Sequence, residues 1–499
     1  MFKNILLIIA GFFISFPSTN AQWAQVGDDI YGQTGYESSG TSVSINSVGD
    51  IVAIGSPLNG DNGDYTGKLR VYKNINNTWT QIGQGISGET QGENLGTKVS
   101  INFDGTIVAA SSPTNSGNGN NAGKVRIFKN INDVWTQIGQ DLVGAAENYS
   151  FGVSISFNSD GTKIAVGAYG ADDNGENSGH VRVFENINDT WTQIGQDIEG
   201  EMANIFSGFS VSLNDNGTVV AIGAVNHSAN GSNSGQVRVF EYVNSSWTQI
   251  GSEILGEAEN DFLGNDVNLN SDGTVLAVSA YGNDVNGTDS GQVRIYKNIN
   301  GTWSQIGQNL NGANSNEAFG FSISLNSSGS RIAIGAVGTS VNGSFSGSVQ
   351  VFEESNGTWN QIDETINGNF ENDYLGYSVS LNSSGATFAV GAPFNIGSNN
   401  NYPGQIKIYN NSNLGINDSE IINIVAFPNP TSNITTVKVP FNQFTISTLY
   451  DVTGKVVYIN QSAVKNNQLQ IDLSNFENGV YFLNVIQENH SLSLKIIKK

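Results

Sequence analysis

Seven tryptophans, and no others, punctuate this 499-residue chain at Trp23, Trp79, Trp135, Trp191, Trp247, Trp303 and Trp359, with one unvarying interval between neighbours. A period held through seven copies without an insertion means one supersecondary unit repeated. Other columns keep the same step: Gly40, Gly96, Gly152, Gly208, Gly264, Gly320 and Gly376, and the asparagines from Asn46 to Asn382, each followed three residues later by glycine.

Within the copy that begins at Gly264, four short runs carry a strand pattern: Val267 to Asn270, Val275 to Ala280, Gln292 to Tyr296 and Trp303 to Ile306. The turn Asn270-Ser271-Asp272-Gly273 joins the first two as a tight hairpin, glycine supplying the positive φ. Four-stranded antiparallel units of this length are propeller blades, although an open β-solenoid also stacks repeats. A solenoid needs atypical polar caps on its end copies, and here the first and last resemble the middle ones, as a closed ring allows. The expectation is an all-β chain: a seven-bladed β-propeller of 56-residue blades plus a small C-terminal β-sandwich.

Counted from Gly40, the seventh copy ends at Tyr409 without a tryptophan strand, while an unpaired one, Trp23 to Ile30, precedes the first copy. The N-terminal strand is therefore expected to complete the seventh blade and hide its edge. Runs such as Gly208 to Ser212 suit the crowded innermost strand, which leaves the tryptophan strand outermost.

Composition narrows the function classes. With 60 glycines and only 13% charged residues, turns and short strands are favoured over helices. The absence of cysteine rules out disulfides, thiol nucleophiles and thiolate metal sites. Residues 22–410 hold 14 basic and 38 acidic residues, a net −24 that repels nucleic acid and anionic lipid.

Lys3, the apolar run Ile5 to Phe16 and the small-residue site Thr19-Asn20-Ala21 read as a signal peptide over residues 1–21. The run is too short for the roughly 20 apolar residues of a spanning helix, and no later segment qualifies. No transmembrane segment is expected.

Phe151-Gly152 or Leu375-Gly376, then Ser378-Val379-Ser380, Val390-Gly391-Ala392-Pro393 and Gly404 to Tyr409 resemble FG-GAP repeats, the blades of integrin-α-like propellers, across residues 23–410. The calcium loop of those blades lies between the first two strands, where this chain has a bare turn such as Asn158-Ser159-Asp160-Gly161. A second place for Ca²⁺ is the longer loop before the third strand. There Asp172, Asp173, Asn174 and Glu176, and again Asp284, Asn286 and Asp289, gather oxygen ligands, as do Asp61, Asn62 and Asp64. The competing reading is a solvated Asn-Gly turn, since Ser228 to Asn233 and Ser340 to Phe345 lack the acids.

The repeats stop at Tyr409, and residues 411–423 form a polar linker. Residues 424–499 carry Phe427-Pro428-Asn429-Pro430, then Leu449 to Val457, then Asn478 to Val485, ending Lys495-Ile496-Ile497-Lys498-Lys499. They are similar to the type A C-terminal domain of type IX secretion cargo. That resemblance implies a compact β-sandwich recognised by the outer-membrane translocon of a Gram-negative bacterium, and a protein secreted or held at the cell surface. Alternating runs such as Phe444 to Leu449, Lys455 to Ile459, Leu469 to Leu473 and Val480 to Val485 independently argue for short antiparallel strands.

Catalytic signatures are missing. His180, His227 and His490 lie in different units with no histidine or acidic partner at metal-ligand spacing. The nearest approach to a nucleophile motif, Gly208 to Ser212, recurs as a structural strand. The tryptophans are expected to fill gaps between blades rather than stack on sugars. Arg70, Arg126, Arg182, Arg238 and Arg294 share one column, with Gln350 and Lys407 after them, and exposed pairing with acids is expected there. For recognition, the residues that vary before the repeated glycine, Tyr36, Tyr149, Phe206, Phe262, Phe319 and Tyr374, are the candidates. Three readings follow: an adhesion protein taking an extracellular glycan or protein ligand, an enzyme acting on polysaccharide in the central opening, and a structural surface component.

Overall fold

The computed structural model describes residues 23–397 and 401–411 and, towards the C-terminus, 425–427, 429–438, 444–451, 455–463, 468–487 and 490–499. The proposed signal peptide lies outside the described residues, as does the linker apart from Asn411. The chain divides into two compact units at residue 416.

The first unit is a ring of seven antiparallel sheets. In the blade read above, the strands are Val267–Leu269, Val275–Ala280, Gln292–Ile299 and Thr302–Gln305. Leu310–Asn311 pairs with the start of the third strand, so the outermost strand is in two pieces. The break falls at Gly307, whose φ is +72°. A side chain there meets the Trp359 ring of the next blade, with Cβ 2.6 Å from Cδ1. The same column keeps a positive φ at Gly27, Gly83, Gly139, Gly195 and Gly251, and Asp363 takes the place in the sixth blade at φ +67°.

The repeated asparagine and glycine explain the hairpins. Asn270 Oδ1 accepts the amides of Thr274 and Val275, and Gly273 turns at φ +74°. One residue after each asparagine, the backbone closes a ring of its own. Ser47 donates to Phe103, Phe103 to Ser159, Ser159 to Asp215, Asp215 to Ser271, Ser271 to Ser327, Ser327 to Ser383 and Ser383 back to Ser47. Seven amides that would otherwise face water at one mouth of the channel are satisfied by the next blade.

Packing explains the other glycines. A Cβ on Gly167 would sit 2.0 Å from the Gly208 carbonyl, and one on Gly391 2.0 Å from that of Gly40. Second strands therefore reach the next blade's first strand only through glycine or a small residue. The hydrophobic cores lie between blades rather than within them. Seven clusters each join neighbours, and the last unites Ala389, Ile406 and Ile408 with Val43, Ile45, Val52 and Ile54 of the first copy.

Closure follows the expected route. Ala24–Gln25 pair with Asn410 and Tyr409, and Ile30–Tyr31 with Ile406 and Gln405. Trp23 packs edge-on against Phe388 at 4.9 Å. The other six tryptophans each donate Nε1 to a carbonyl of the preceding blade, from Trp79 to Val26 at 2.8 Å through Trp359 to Ile306 at 3.1 Å. They are packing residues on the outer strand, as expected.

In the second unit, Val425–Phe427, Ile434–Lys438 and Gln468–Asp472 form one sheet. Phe444–Tyr450, Val456–Ala463, Gly479–Gln487 and His490–Lys498 form the other. Val437, Leu449, Ile471, Leu483 and Ile496 are buried between them, making the sandwich.

Candidate functional site

Each blade turns its two tight hairpins to one face and its long loops, before the first and third strands, to the other. The nominated oxygen-rich loops and, Phe319 apart, the nominated aromatics belong to the loops of the long-loop face, where the repeat is least regular.

Blades five to seven carry a continuous run of rings there. Phe262 stacks on Tyr281 with centroids 5.4 Å apart and 8° between planes. Tyr281 meets Phe321 at 6.0 Å, Phe321 meets Tyr377 at 5.0 Å, and Tyr377 meets Phe394 at 5.9 Å. Phe394 touches Tyr374 at 5.2 Å, which stacks on Phe345 at 5.3 Å and 6°. Phe345 and Phe394 are exposed. The equivalents of Phe262 and Tyr374 in the first three blades are Ser38, Asn94 and Ser150, so the run is not part of the scaffold. Between Phe262 and Phe345 lies a groove of about 580 Å³ whose lining also includes Asp289, Ser315, Asn316 and Ser344.

Of the nominated aromatics, Phe262 and Tyr374 belong to this run, and Phe206 pairs with Tyr169 at 5.2 Å in blade four. Tyr36 stacks on Tyr402 at 5.6 Å, and Tyr149 stands edge-on to His180. Phe319 is a correction. It lies one position nearer the repeated glycine than Phe262 does in its own blade, in the column of Leu263 and Leu375, and is fully buried core. Tyr281, Phe321, Tyr377, Phe345 and Phe394 were missed. Lining up the columns and asking where aromatics cluster by blade would have found them.

The oxygen-rich loops show local pairings. Asp172 Oδ1 accepts the Asn177 amide at 2.8 Å, Asp173 pairs with His180, and Asn174 Nδ2 donates to Glu199 and to the Gly200 carbonyl. Glu176 is exposed. Asp284 Oδ1 accepts the Asp289 amide, and Asn286 Nδ2 donates to the Gly312 carbonyl. These are the bonds of Asx turns and loop ties.

His180 does have acidic neighbours, which its linear spacing concealed. Nδ1 lies 2.6 Å from Asp173 Oδ2 and 4.0 Å from Asp197 Oδ2. Burial pushes its pKa down, opposed by the Asp173 bond. Asp197 is already held by Arg182, at 2.7 Å to the terminal nitrogen. The position is that of Lys68 and Lys124 in the first two blades, each also paired with an acid.

The arginine column pairs with acids as expected, but the guanidinium side is buried: Arg70, Arg126, Arg238 and Arg294 lie in the blade interfaces, while of their partners Glu89, Glu201 and Glu257 are exposed and Glu37 is fully buried. Arg126, Arg238 and Arg294 each donate to a carbonyl of the preceding blade, Ser87, Glu199 and Leu255, so the cation at that column is taken out of water. Glu37 Oε1 accepts from Arg70 at 2.7 Å and Oε2 at 3.1 Å, with Thr34, Asn59 and the Gln33 amide completing the shell.

Residues 425–499 match the family described as a secretion system C-terminal sorting domain. No curated protein matches the chain. Among solved structures, a provisional 6-phosphogluconolactonase from Bacteroides uniformis aligns with TM-score 0.46 and 14% identity over 66% of this chain and 86% of that one. The Dos1 propeller aligns at 0.40 and 10% over 79% and 95%. A provisional TolB from Agrobacterium tumefaciens aligns at 0.33 and 10% over 58% and 84%. The C-terminal unit is thus a type IX secretion sorting domain, and the protein it carries is exported to the surface or the surroundings of a Gram-negative bacterium.

Proposed function

We propose that the ring is an extracellular binding module whose ligand is a neutral glycan laid across the long-loop face of blades five to seven. The observation that carries this reading is the run of seven rings from Phe262 to Phe345 beside the groove. Ring faces suit the apolar faces of sugars, while asparagine, serine and carboxylate groups suit their hydroxyls. The negative field of the repeats disfavours an anionic polymer. The FG-GAP likeness is part of the same reading, supported by Phe151 buried at a blade interface and Gly152 at φ +92°.

Isothermal calorimetry against neutral and uronic-acid oligosaccharides tests it. Replacing Phe345 and Tyr281 with alanine is expected to weaken binding of a neutral glycan about tenfold or more, at roughly 1 kcal/mol per stacked ring, with unchanged thermal unfolding. Equal binding by the variant, or none by the parent, overturns the reading. The polysaccharide-cleaving alternative asks for two facing carboxylates; among the described residues, Asp266 lines the channel beside the rings and Asp215 lines its other mouth.

Export supplies a separate expectation. Removing residues 424–499 should move the protein from the culture supernatant or cell surface to the periplasm, read by immunoblotting of fractions. Unchanged distribution would contradict a sorting role.

A further inference from the structure

The central channel departs from the sevenfold pattern at several levels, Asn268 and Asp215 among them, but at one level the departure brings in opposite charges. At the first-strand position that faces the opening, five blades carry serine: Ser42, Ser154, Ser210, Ser322 and Ser378. Four of these hydroxyls tie their blade to the next, donating to the carbonyls of Gly208, Gly264, Gly376 and Gly40 at 2.7–2.8 Å. Serine there is a structural device. The second and fifth blades give it up for Lys98 and Asp266.

Neither charge is consumed by the fold. Asp266 Oδ2 accepts the Ile323 amide at 2.8 Å, just as Ser42 Oγ accepts that of Val99, but among the described residues no cation lies within ion-pair distance of it. Among the described residues the Lys98 ammonium has no hydrogen-bond or ion-pair partner, and its side chain is exposed to the channel. The two stand three blades apart in a ring of seven, so they face one another from opposing parts of the wall. Both line the same cavity of about 370 Å³, within the range of small-molecule sites, with Phe209, Phe321 and Tyr377 at its long-loop rim.

The carboxylate is also kept at a cost. Burial in the channel wall pushes the Asp266 carboxyl up to about 6, eased by the Ile323 amide and the charge of Lys98. Serine at the same site carries no such penalty, and five blades show that serine folds. A charged residue retained where the scaffold prefers a neutral one points to a role outside folding.

We propose that this channel is a second binding site, for a small zwitterion of the amino acid or short peptide class, its carboxylate on Lys98 and its ammonium on Asp266. Opposite charges on opposing walls, with serine hydroxyls between them, complement a molecule carrying both signs at its ends. The site adjoins the glycan face, with Phe321 and Tyr377 shared at its rim, but Lys98 and Asp266 take no part in the aromatic run.

Lys98→Ser and Asp266→Ser each restore the residue the repeat itself uses, so both variants are expected to fold. Saturation-transfer NMR and calorimetry with glycine, alanine and glycylglycine, and with glucose as the uncharged control, are the test. The parent should bind the zwitterions but not glucose in the channel, and either serine variant should lose at least tenfold in affinity while neutral-glycan binding is unchanged. Affinity of the parent should fall as pH drops below about 6, where Asp266 takes up a proton. Lys98 and Tyr377 are the other titratable groups on this wall, and burial pushes the Tyr377 phenol up, away from that range. Absence of zwitterion binding by the parent, or equal binding by both serine variants, overturns the proposal.

Discussion

A chain starting at Gly32 is expected to unfold about 10 °C below one starting at Gln22, in circular dichroism melts under identical conditions. The segment removed contains Trp23 and Ile30, both buried, and both ladders that complete the seventh blade. Losing a buried tryptophan costs about 3–5 kcal/mol and a buried isoleucine about 2–5. At an unfolding entropy of about 2.1 cal/mol/K per residue, a ring of this length converts that loss to roughly 10 °C. The effect spreads because the segment serves two interfaces. Trp23 packs with blades six and seven, while the Val26 carbonyl receives Trp79 of blade one. Its removal also bares the Gln405–Asn410 edge to other chains. Equal melting temperatures would mean that the ring closes without it.

Arg70→Ala is expected to cost about 3–5 kcal/mol, or about 5 °C, because it leaves a fully buried carboxylate without its cation. Burial alone would raise the Glu37 pKa, yet the Arg70 bonds and charge bring it below the ordinary carboxylate value. In the parent, this pair therefore contributes stability above the ordinary carboxylate pKa and loses it as pH falls through the lowered value. In the variant, burial acts unopposed by Arg70, so its deficit should shrink as pH is lowered from 7 towards 4. A deficit independent of pH would assign the loss to packing instead. Arg182→Ala serves as the comparison. Its side chain keeps 19% exposure and its partner Asp197 22%, so a loss of about 1 kcal/mol is expected.

The architecture was legible because it is periodic. A tryptophan in every repeat, a glycine where blades touch and an asparagine at each hairpin all report backbone geometry, and each falls where the structure needs it. The strand limits were less legible. Gln292–Ile299 continues past the expected end at Tyr296, since its far half pairs with Thr302–Gln305 across a tight turn.

The site was far less visible. Phe345, Tyr374 and Phe394 are dispersed along the chain and become one surface only when blades six and seven stand side by side. Asp173 precedes His180 and Asp197 follows it at a different remove, a spacing with no meaning along the chain and a plain one across a blade. The arginine column looked solvent-exposed because a polar residue in a strand usually faces water. In a propeller both faces of a middle strand are covered by neighbouring blades.

By itself the sequence determined the all-β class, the number of blades, the strand that closes them and the sorting domain that follows, since each depends on local pattern repeated or on a contiguous motif. Only the tertiary structure decided which residues meet. Ring closure places the first strands around one axis, so that Lys98 and Asp266, from copies with two others between them, share a channel wall. The same closure turns every third strand into an interface, so that Arg70 must find Glu37 away from water.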